Sequence, residues 1–289
     1  MSVLTPILVS LRIHYWVKNL LVALPFVASG LSLDLVKLSE IAGAFVAFSL
    51  SASSGYIIND LLDRKHDAMT EKATRPIASG RISNSMGIGL SVASFSMSMV
   101  VGLVTINLVA VSLILTYFSL SVLYSLHLKR FAGLEIMVLG LLHTLRVMVG
   151  IVALGLEASF WLISLTLLFF SGLAATKRIG NLGESITEYR SRGYSQEDLS
   201  WLQSFSAGLF FSSLIVYGLY LNGEGFFSSS GLEFLLAFFS FFAFGSLVAF
   251  LLLSGSRSQI KSDAVVWLLR EKYGMFLVAV IGSLNLILI

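Results

Sequence analysis

The chain of 289 residues has no cysteine, three prolines and few charges: 12% of its residues are Asp, Glu, Lys or Arg, and the formal net charge is +3. The missing thiols exclude disulfides, thiolate metal sites and a cysteine nucleophile, and leave the compartment open. The scarcity of charge excludes more. A soluble domain carries roughly 25% charged residues, whereas this chain is 56% hydrophobic with a mean hydropathy of +0.90. That combination describes an integral membrane protein. No cleavable leader is expected either. Met1–Ser10 carries no charged side chain, and Arg12, His14, Trp16 and Lys18 interrupt the approach to the first apolar run.

What is present is a succession of apolar runs. A helical span needs about 20 apolar residues, and nine segments qualify: 19–35, 39–60, 86–105, 108–127, 132–154, 158–177, 200–221, 231–254 and 273–289. No long polar insertion separates them, so the expectation is an all-α integral membrane bundle of nine transmembrane helices, one domain over residues 1–289. Pro25 falls inside the first span and is expected to bend it.

The few charges sort by side. Arg12 and Lys18 precede the first span. Arg64, Lys65, Lys72, Arg75 and Arg81 follow the second, Lys129 and Arg130 the fourth, Lys177, Arg178, Arg190 and Arg192 the sixth, and Arg257, Lys261, Arg270 and Lys272 the eighth. The opposite loops hold only Asp34, Lys37, Glu40, Glu157, Glu224 and Glu233. The positive-inside rule then places the N-terminus and the even-numbered loops in the cytoplasm and the C-terminus outside, in a multi-pass protein of the cytoplasmic (inner) membrane. The two longest cytoplasmic loops, 61–85 and 178–199, hint at a parallel repeat of spans 1–4 and 5–8.

One stretch concentrates the chemistry: "YIINDLLDRKHDAMTEKATRPIASG", residues 56–80. On a helix continuing past the membrane edge, Asn59, Asp63 and Asp67 stack at i, i+4 and i+8, with Asp60 beside Asp63. Carboxylates on one face repel unless a cation lies among them, and hard oxygen ligands suit Mg²⁺. A solvated helix end, with Arg64, Lys65 and His66 facing water, is the plainer alternative. The spacing and the membrane-edge position favour the metal. Arg75 precedes Pro76, which biases its backbone toward an extended form and presents a guanidinium able to grip phosphate bidentately. Carboxylates, Mg²⁺ and basic side chains together make a diphosphate site.

"NDLLDRKHD" followed by "ATRPIASGRIS" resembles the first signature of the UbiA superfamily of intramembrane prenyltransferases. The resemblance implies nine transmembrane helices and Mg²⁺–diphosphate chemistry in a cavity facing the cytoplasm. "LRIHYWVKNLLVALPFVASG" (11–30), "YSLHLKR" (124–130), "LHTLRVMVG" around Arg146, "ATKR" (175–178) and "DAVVWLLREK" (263–272) resemble the decaprenyl-phosphate phosphoribosyltransferase branch. Aromatic prenyltransferases of the superfamily usually carry a second Asp-rich motif after the sixth span. Here "KRIGNLGESITEYR" offers Glu184 and Glu188, with no Asp until Asp198.

The resemblance implies a reaction. Asn59, Asp60, Asp63 and Asp67 hold Mg²⁺, with Asp60, Asp63, Arg75 and Lys129 as the catalytic set. Lys18, Lys72, Arg75, Lys129, Lys177 and Arg178 neutralise phosphates, and Asn19, Tyr124 and Arg146 also contact substrate. Phosphoribosyl diphosphate donates its 5-phosphoribosyl group to a polyprenyl phosphate, giving a lipid-linked pentose donor for a cell-envelope glycan. The alternatives are prenyl transfer from a prenyl diphosphate to an aromatic or other small acceptor, and a lipid transporter. A transporter places polar groups near the bilayer midplane, whereas these charges gather at one face. The partners expected are the lipid, the diphosphate substrate and the bilayer, and no nucleic acid.

Other polar residues carry plainer readings. His143 alone reads as a hydrogen-bonded interior histidine. Tyr124 reads as an interface anchor. Lys18 reads as a snorkelling residue when taken without the resemblance. Arg146 lies within a span, where ionisable groups are functional by default, with Glu135 eleven residues earlier as a possible ion-pair partner. The small residues of "SLSASSG" (49–55) suit close helix packing.

Overall fold

The computed structural model describes residues 4–32, 34–182, 192–229, 231–260 and 263–288, so Glu184, Glu188, Arg190 and Lys261 lie outside the described residues. Among these residues every regular element is helical. Seven helices are long and apolar enough to cross a membrane, and a bent pair at the N-terminus makes an eighth. An apolar helix of 17 residues, Lys272–Leu288, follows at the C-terminal end. The expected spans after the first coincide with these helices to within a few residues.

The first span differs. A short helix α1 (Leu4–Ser10) is followed by a 3₁₀ segment, Ile13–Ala23, which runs into α2 (Leu24–Ala28). The bend of 41° separates Leu4–Ser10 from Ile13–Ala28, and it falls at Arg12 rather than at Pro25. The reason is local. Pro25 occupies the first turn of α2, where a missing N–H breaks no helical bond. Arg12 takes the left-handed conformation, φ 51° and ψ 45°, which disrupts the helix instead. Eleven residues of 3₁₀ geometry are unusual, since such runs rarely exceed about 3–4 residues.

The chain forms two compact units. The first comprises Met1–Pro25, Ser32–Lys129 and Leu145–Glu157. Its spine is α3 (Leu35–Leu62), which packs along α5 (Asn84–Thr105) and α6 (Leu108–Leu126). Small residues permit the close approach. A Cβ on Gly43 would collide with the Thr105 side chain, Ser54 Oγ meets Ser91 Oγ at 2.8 Å, and Ser98 Oγ donates to the Ala47 carbonyl at 2.6 Å. Ser54, within the 49–55 stretch, therefore serves helix contact as its size suggests. Caps fix both ends of the layer: Asp34 accepts from Lys37 N, Ser83 from Met86 N and Asn107 from Ala110 N.

The second unit comprises Phe26–Leu31, Arg130–Thr144 and Ala158–Ile289. It contains the first half of α7 (Leu134–Ala153), then α8 (Phe160–Leu182), α9 (Leu199–Gly223), α10 (Leu232–Ser256), the short α11 (Ala264–Leu268) and α12 (Lys272–Leu288). Helix α8 packs on α9, where Gly172 faces the Phe210 ring, and α10 packs on α12. Within the apolar interior Tyr217, Ser240 and Asn285 satisfy one another at 2.5–3.1 Å, as buried polar groups must.

Candidate active site

Helix α3 ends where the acidic stretch begins. Asp63 leaves helical geometry at φ −88° and ψ 1°, and a four-residue helix α4 (Arg64–Asp67) follows. The hydrogen-bond ladder continues across the break, Asp63 N to Asn59 O at 2.9 Å and Asp67 N to Asp63 O at 2.8 Å, so the side chains keep near-helical phasing. Asp60 and Asp67 are buried, and one guanidinium nitrogen, Arg75 Nη1, donates to Asp60 Oδ1 at 3.0 Å and to Asp67 Oδ2 at 2.8 Å. Asp63 is half-buried and takes the Lys129 ammonium at 2.6 Å. The structure thus groups Asp60 with Asp67, two turns apart, and sets Asp63 beside them with its own cation. The i, i+4, i+8 stack made no such distinction.

Arg75 is held from below. Its backbone is extended, φ −61° and ψ 143°, as the following Pro76 dictates. Ile77 and Ile82 are buried against Ile57 of α3, and Ile82 N bonds back to Pro76 O at 3.0 Å around a turn at Gly80, φ 77°. Burying two isoleucines is worth about 1.5–3 kcal/mol each, which pins a polar loop to the end of an apolar helix.

The residue that sequence reasoning missed is Arg12. Its Nη2 donates to the same Asp60 Oδ1 at 2.6 Å, and its guanidinium carbon lies 5.8 and 5.2 Å from the ring centroids of Tyr15 and Tyr56. In the sequence it stood only among the orientation charges. The alternation of basic and aromatic residues in "RIHYWVK" was the available signal.

Lys18 does not snorkel. It is buried, with its ammonium 4.6 Å from the Tyr15 ring centroid and 5.5 Å from that of Tyr56. Asn19 donates to Ser49 Oγ at 2.9 Å and accepts from Arg146 Nε at 2.9 Å. Arg146 donates also to the Tyr117 hydroxyl at 3.2 Å and lies 5.0 Å from the ring centroids of Phe48 and Tyr117. Cation–π contacts of this kind contribute about 0.5–2 kcal/mol each. The first unit therefore buries two cations among aromatic rings. Tyr124 and Lys72 are half-buried in the same unit.

Lys177 and Arg178 belong to the second unit. Lys177 is half-buried, whereas Arg178 is buried and forms a bidentate pair with Glu135, at 2.5 and 2.7 Å. Tyr194 completes the group: its hydroxyl donates to Glu135 at 3.2 Å and accepts from Gly133 N at 2.9 Å. Burial, then the Glu135 charge, raises the Tyr194 phenol above its ordinary value, so it remains a neutral donor. Glu135 thus pairs with Arg178, while Arg146 is held by Asn19 and Tyr117. His143 fits its plain reading, with Nδ1 2.9 Å from Leu139 O and its ring stacked on Phe170.

Among the described residues no three Asp, Glu, His or Cys side chains are gathered into a ready metal cage. Instead one oxygen of each carboxylate is engaged by a basic side chain: Asp60 Oδ1 by Arg12 and Arg75, Asp67 Oδ2 by Arg75 and Asp63 Oδ1 by Lys129. By type, three carboxylates and an amide on one short segment suit a hard divalent cation such as Mg²⁺. The donor set fits the ion in its chemistry, while its present partners are internal cations.

The sequence model of the UbiA prenyltransferase family matches residues 20–195. The chain belongs to the UbiA prenyltransferase family. An uncharacterised protein of Sinorhizobium fredii, y4nM, is 38% identical over 169 residues, covering 58% of this chain and 33% of that protein. The nodulation protein NoeC of Azorhizobium caulinodans is 30% identical over 198 residues, 65% of this chain and 62% of its own. A decaprenyl-phosphate phosphoribosyltransferase of Mycobacterium tuberculosis is 32% identical over 182 residues, 60% of this chain and 59% of its own. The chain thus spans between a third and about three fifths of the length of these curated relatives. Among solved structures, a digeranylgeranylglyceryl phosphate synthase superposes with a TM-score of 0.69 at 19% identity, covering 99% of this chain and 98% of that one. A UbiA homologue of Archaeoglobus fulgidus bound to GPP and Mg²⁺ superposes with a TM-score of 0.66 at 12% identity, covering 97% and 99%. These likenesses establish the UbiA fold.

Proposed function

We propose that this protein transfers 5-phosphoribosyl from phosphoribosyl diphosphate to a polyprenyl phosphate, releasing diphosphate, to supply a lipid-linked pentose donor for a cell-envelope glycan. The observation that carries the reading is the matched array of three carboxylates and three cations, Asp60, Asp63 and Asp67 against Arg12, Arg75 and Lys129, all within 3.0 Å of a partner. Each member of that array has a better partner in a metal–diphosphate complex: a divalent cation for the carboxylates, phosphate oxygens for the basic groups. The choice of donor rests on the segment around Trp16, Lys18 and Asn19, and on relatives named decaprenyl-phosphate phosphoribosyltransferase at 30–33% identity.

Asn59, Asp60, Asp63 and Asp67 would hold Mg²⁺, which supplies neutralisation of the charge on the leaving diphosphate. Arg75, Lys72 and Lys129 bind phosphate oxygens of the donor. The bond from C1 of the ribose to the diphosphate oxygen breaks, C1 gains oxocarbenium character, and an oxygen of the polyprenyl phosphate forms the new bond from the opposite face. Lys18 and Arg146, with Asn19, Tyr117 and Tyr124 nearby in the unit, supply buried positive charge and hydrogen bonds for a substrate phosphate. The apolar helix faces accommodate the lipid tail. We read the chain as one nine-span UbiA domain of the cytoplasmic membrane with the site at its cytoplasmic face.

The second reading, prenyl transfer to a small acceptor, is favoured by the solved UbiA homologues bound to GPP or DMAPP with Mg²⁺. In that case the same carboxylates serve a lipid diphosphate. Both readings require the acidic residues. Asp63→Asn is expected to remove Mg²⁺-dependent turnover by at least about 10²-fold, the scale of losing an electrostatic contact to the transition state, while its detergent melting curve stays unchanged. Full turnover in this variant would refute the metal assignment.

A further inference from the structure

We propose that Arg12 is the internal counter-ion of Asp60, and that a divalent cation enters the site by displacing it. The inference rests on the metal reading above. Asp60 Oδ1 accepts from two guanidiniums, Arg12 Nη2 at 2.6 Å and Arg75 Nη1 at 3.0 Å. Two close donors occupy the lone pairs of that oxygen, so a metal ion reaches it only after one donor withdraws.

The structure marks which one withdraws. Arg75 also carries Asp67 at 2.8 Å, stands on a backbone stiffened by Pro76, and is seated by Ile77 and Ile82. Its departure ahead of the metal would strand two carboxylates. Arg12 holds Asp60 alone of the three, and its guanidinium also lies by the rings of Tyr15 and Tyr56, which it shares with the Lys18 ammonium. Its backbone is in the left-handed region, at the joint between α1 and the 3₁₀ segment. A non-glycine residue persists there only when its surroundings hold it, and the Asp60 contact is such a hold. Arg12 therefore occupies Asp60 until metal arrives, and its guanidinium is then released toward the phosphate that accompanies the metal.

The test is Mn²⁺ binding to the purified full chain in detergent, read by electron paramagnetic resonance without any substrate. Arg12→Gln is expected to bind Mn²⁺ at least about tenfold more tightly than wild type, because a unit charge close to the carboxylate is gone. Arg12→Lys is expected to restore the wild-type affinity. Lys65→Gln, which removes an exposed cation, controls for the general field and is expected to change it less than threefold or so. A second readout uses the unaltered protein: saturating Mn²⁺ is expected to increase phenylglyoxal labelling of Arg12, measured by peptide mass. Unchanged or weaker Mn²⁺ binding in Arg12→Gln, or labelling that Mn²⁺ leaves unchanged, overturns the exchange. If wild type binds Mn²⁺ and Asp63→Asn does not, such a result refutes the role of Arg12 alone. If wild type binds no Mn²⁺, the metal assignment falls with it.

Discussion

At the scale of single residues, each buried charge in the described chain is countered by a particular device. Asp60 and Asp67 use shared arginine, Asp63 uses lysine, and Lys18 and Arg146 sit against aromatic faces. Glu135 is the most enclosed, at 0% exposure, and its bidentate contact with Arg178 holds it. Removing one member of such a pair leaves the other buried and uncompensated. Glu135→Gln is expected to destabilise the protein by about 3–5 kcal/mol, measured by chemical unfolding in detergent, and a loss below about 1 kcal/mol would show that the pair is solvated. This partner was not legible in the sequence. Glu135 and Arg146 lie on one helix, so their spacing suggested a pair. Arg178 lies on another helix, and which side chains meet across helices is decided by packing that spacing alone does not encode.

At the scale of elements, the apolar runs were legible because each depends on consecutive residues. The acidic stretch and Arg75–Pro76 were legible for the same reason. The first span was not. A left-handed Arg12 and a 3₁₀ run of eleven residues packed on α3 are announced by no local propensity. One contact shows what holds that segment. A Cβ on Gly150 of α7 would run into the Val22 carbonyl, backbone against backbone, so only glycine lets the segment carrying Lys18 and Asn19 lie this close. Gly150→Ala is expected to push the segment outward and loosen the Asn19–Arg146 contact. The expected kinetic outcome is a rise in KM of about tenfold with a smaller change in kcat, a displacement effect on binding groups. Unaltered kinetics would show that the segment does not position substrate.

At the scale of the whole molecule, scarcity of charge and hydropathy identified a membrane bundle, and the apolar helices and the UbiA family match agree with that reading. The identity of the donor is a different kind of property. On the proposed reading, the Asp array would serve any metal-bound diphosphate, ribosyl or prenyl, because its groups would meet only phosphate oxygens and a cation. What distinguishes the donors must lie outside that array, in residues that contact the ribose or the prenyl chain. The measurement that tests the account most directly supplies purified protein and Mg²⁺ with a short polyprenyl phosphate and labelled phosphoribosyl diphosphate, then counts label in the extracted lipid. The account predicts a lipid-borne phosphoribose that forms only with Mg²⁺. No label in the lipid, with prenylation of an aromatic acid when a prenyl diphosphate is supplied instead, would contradict it.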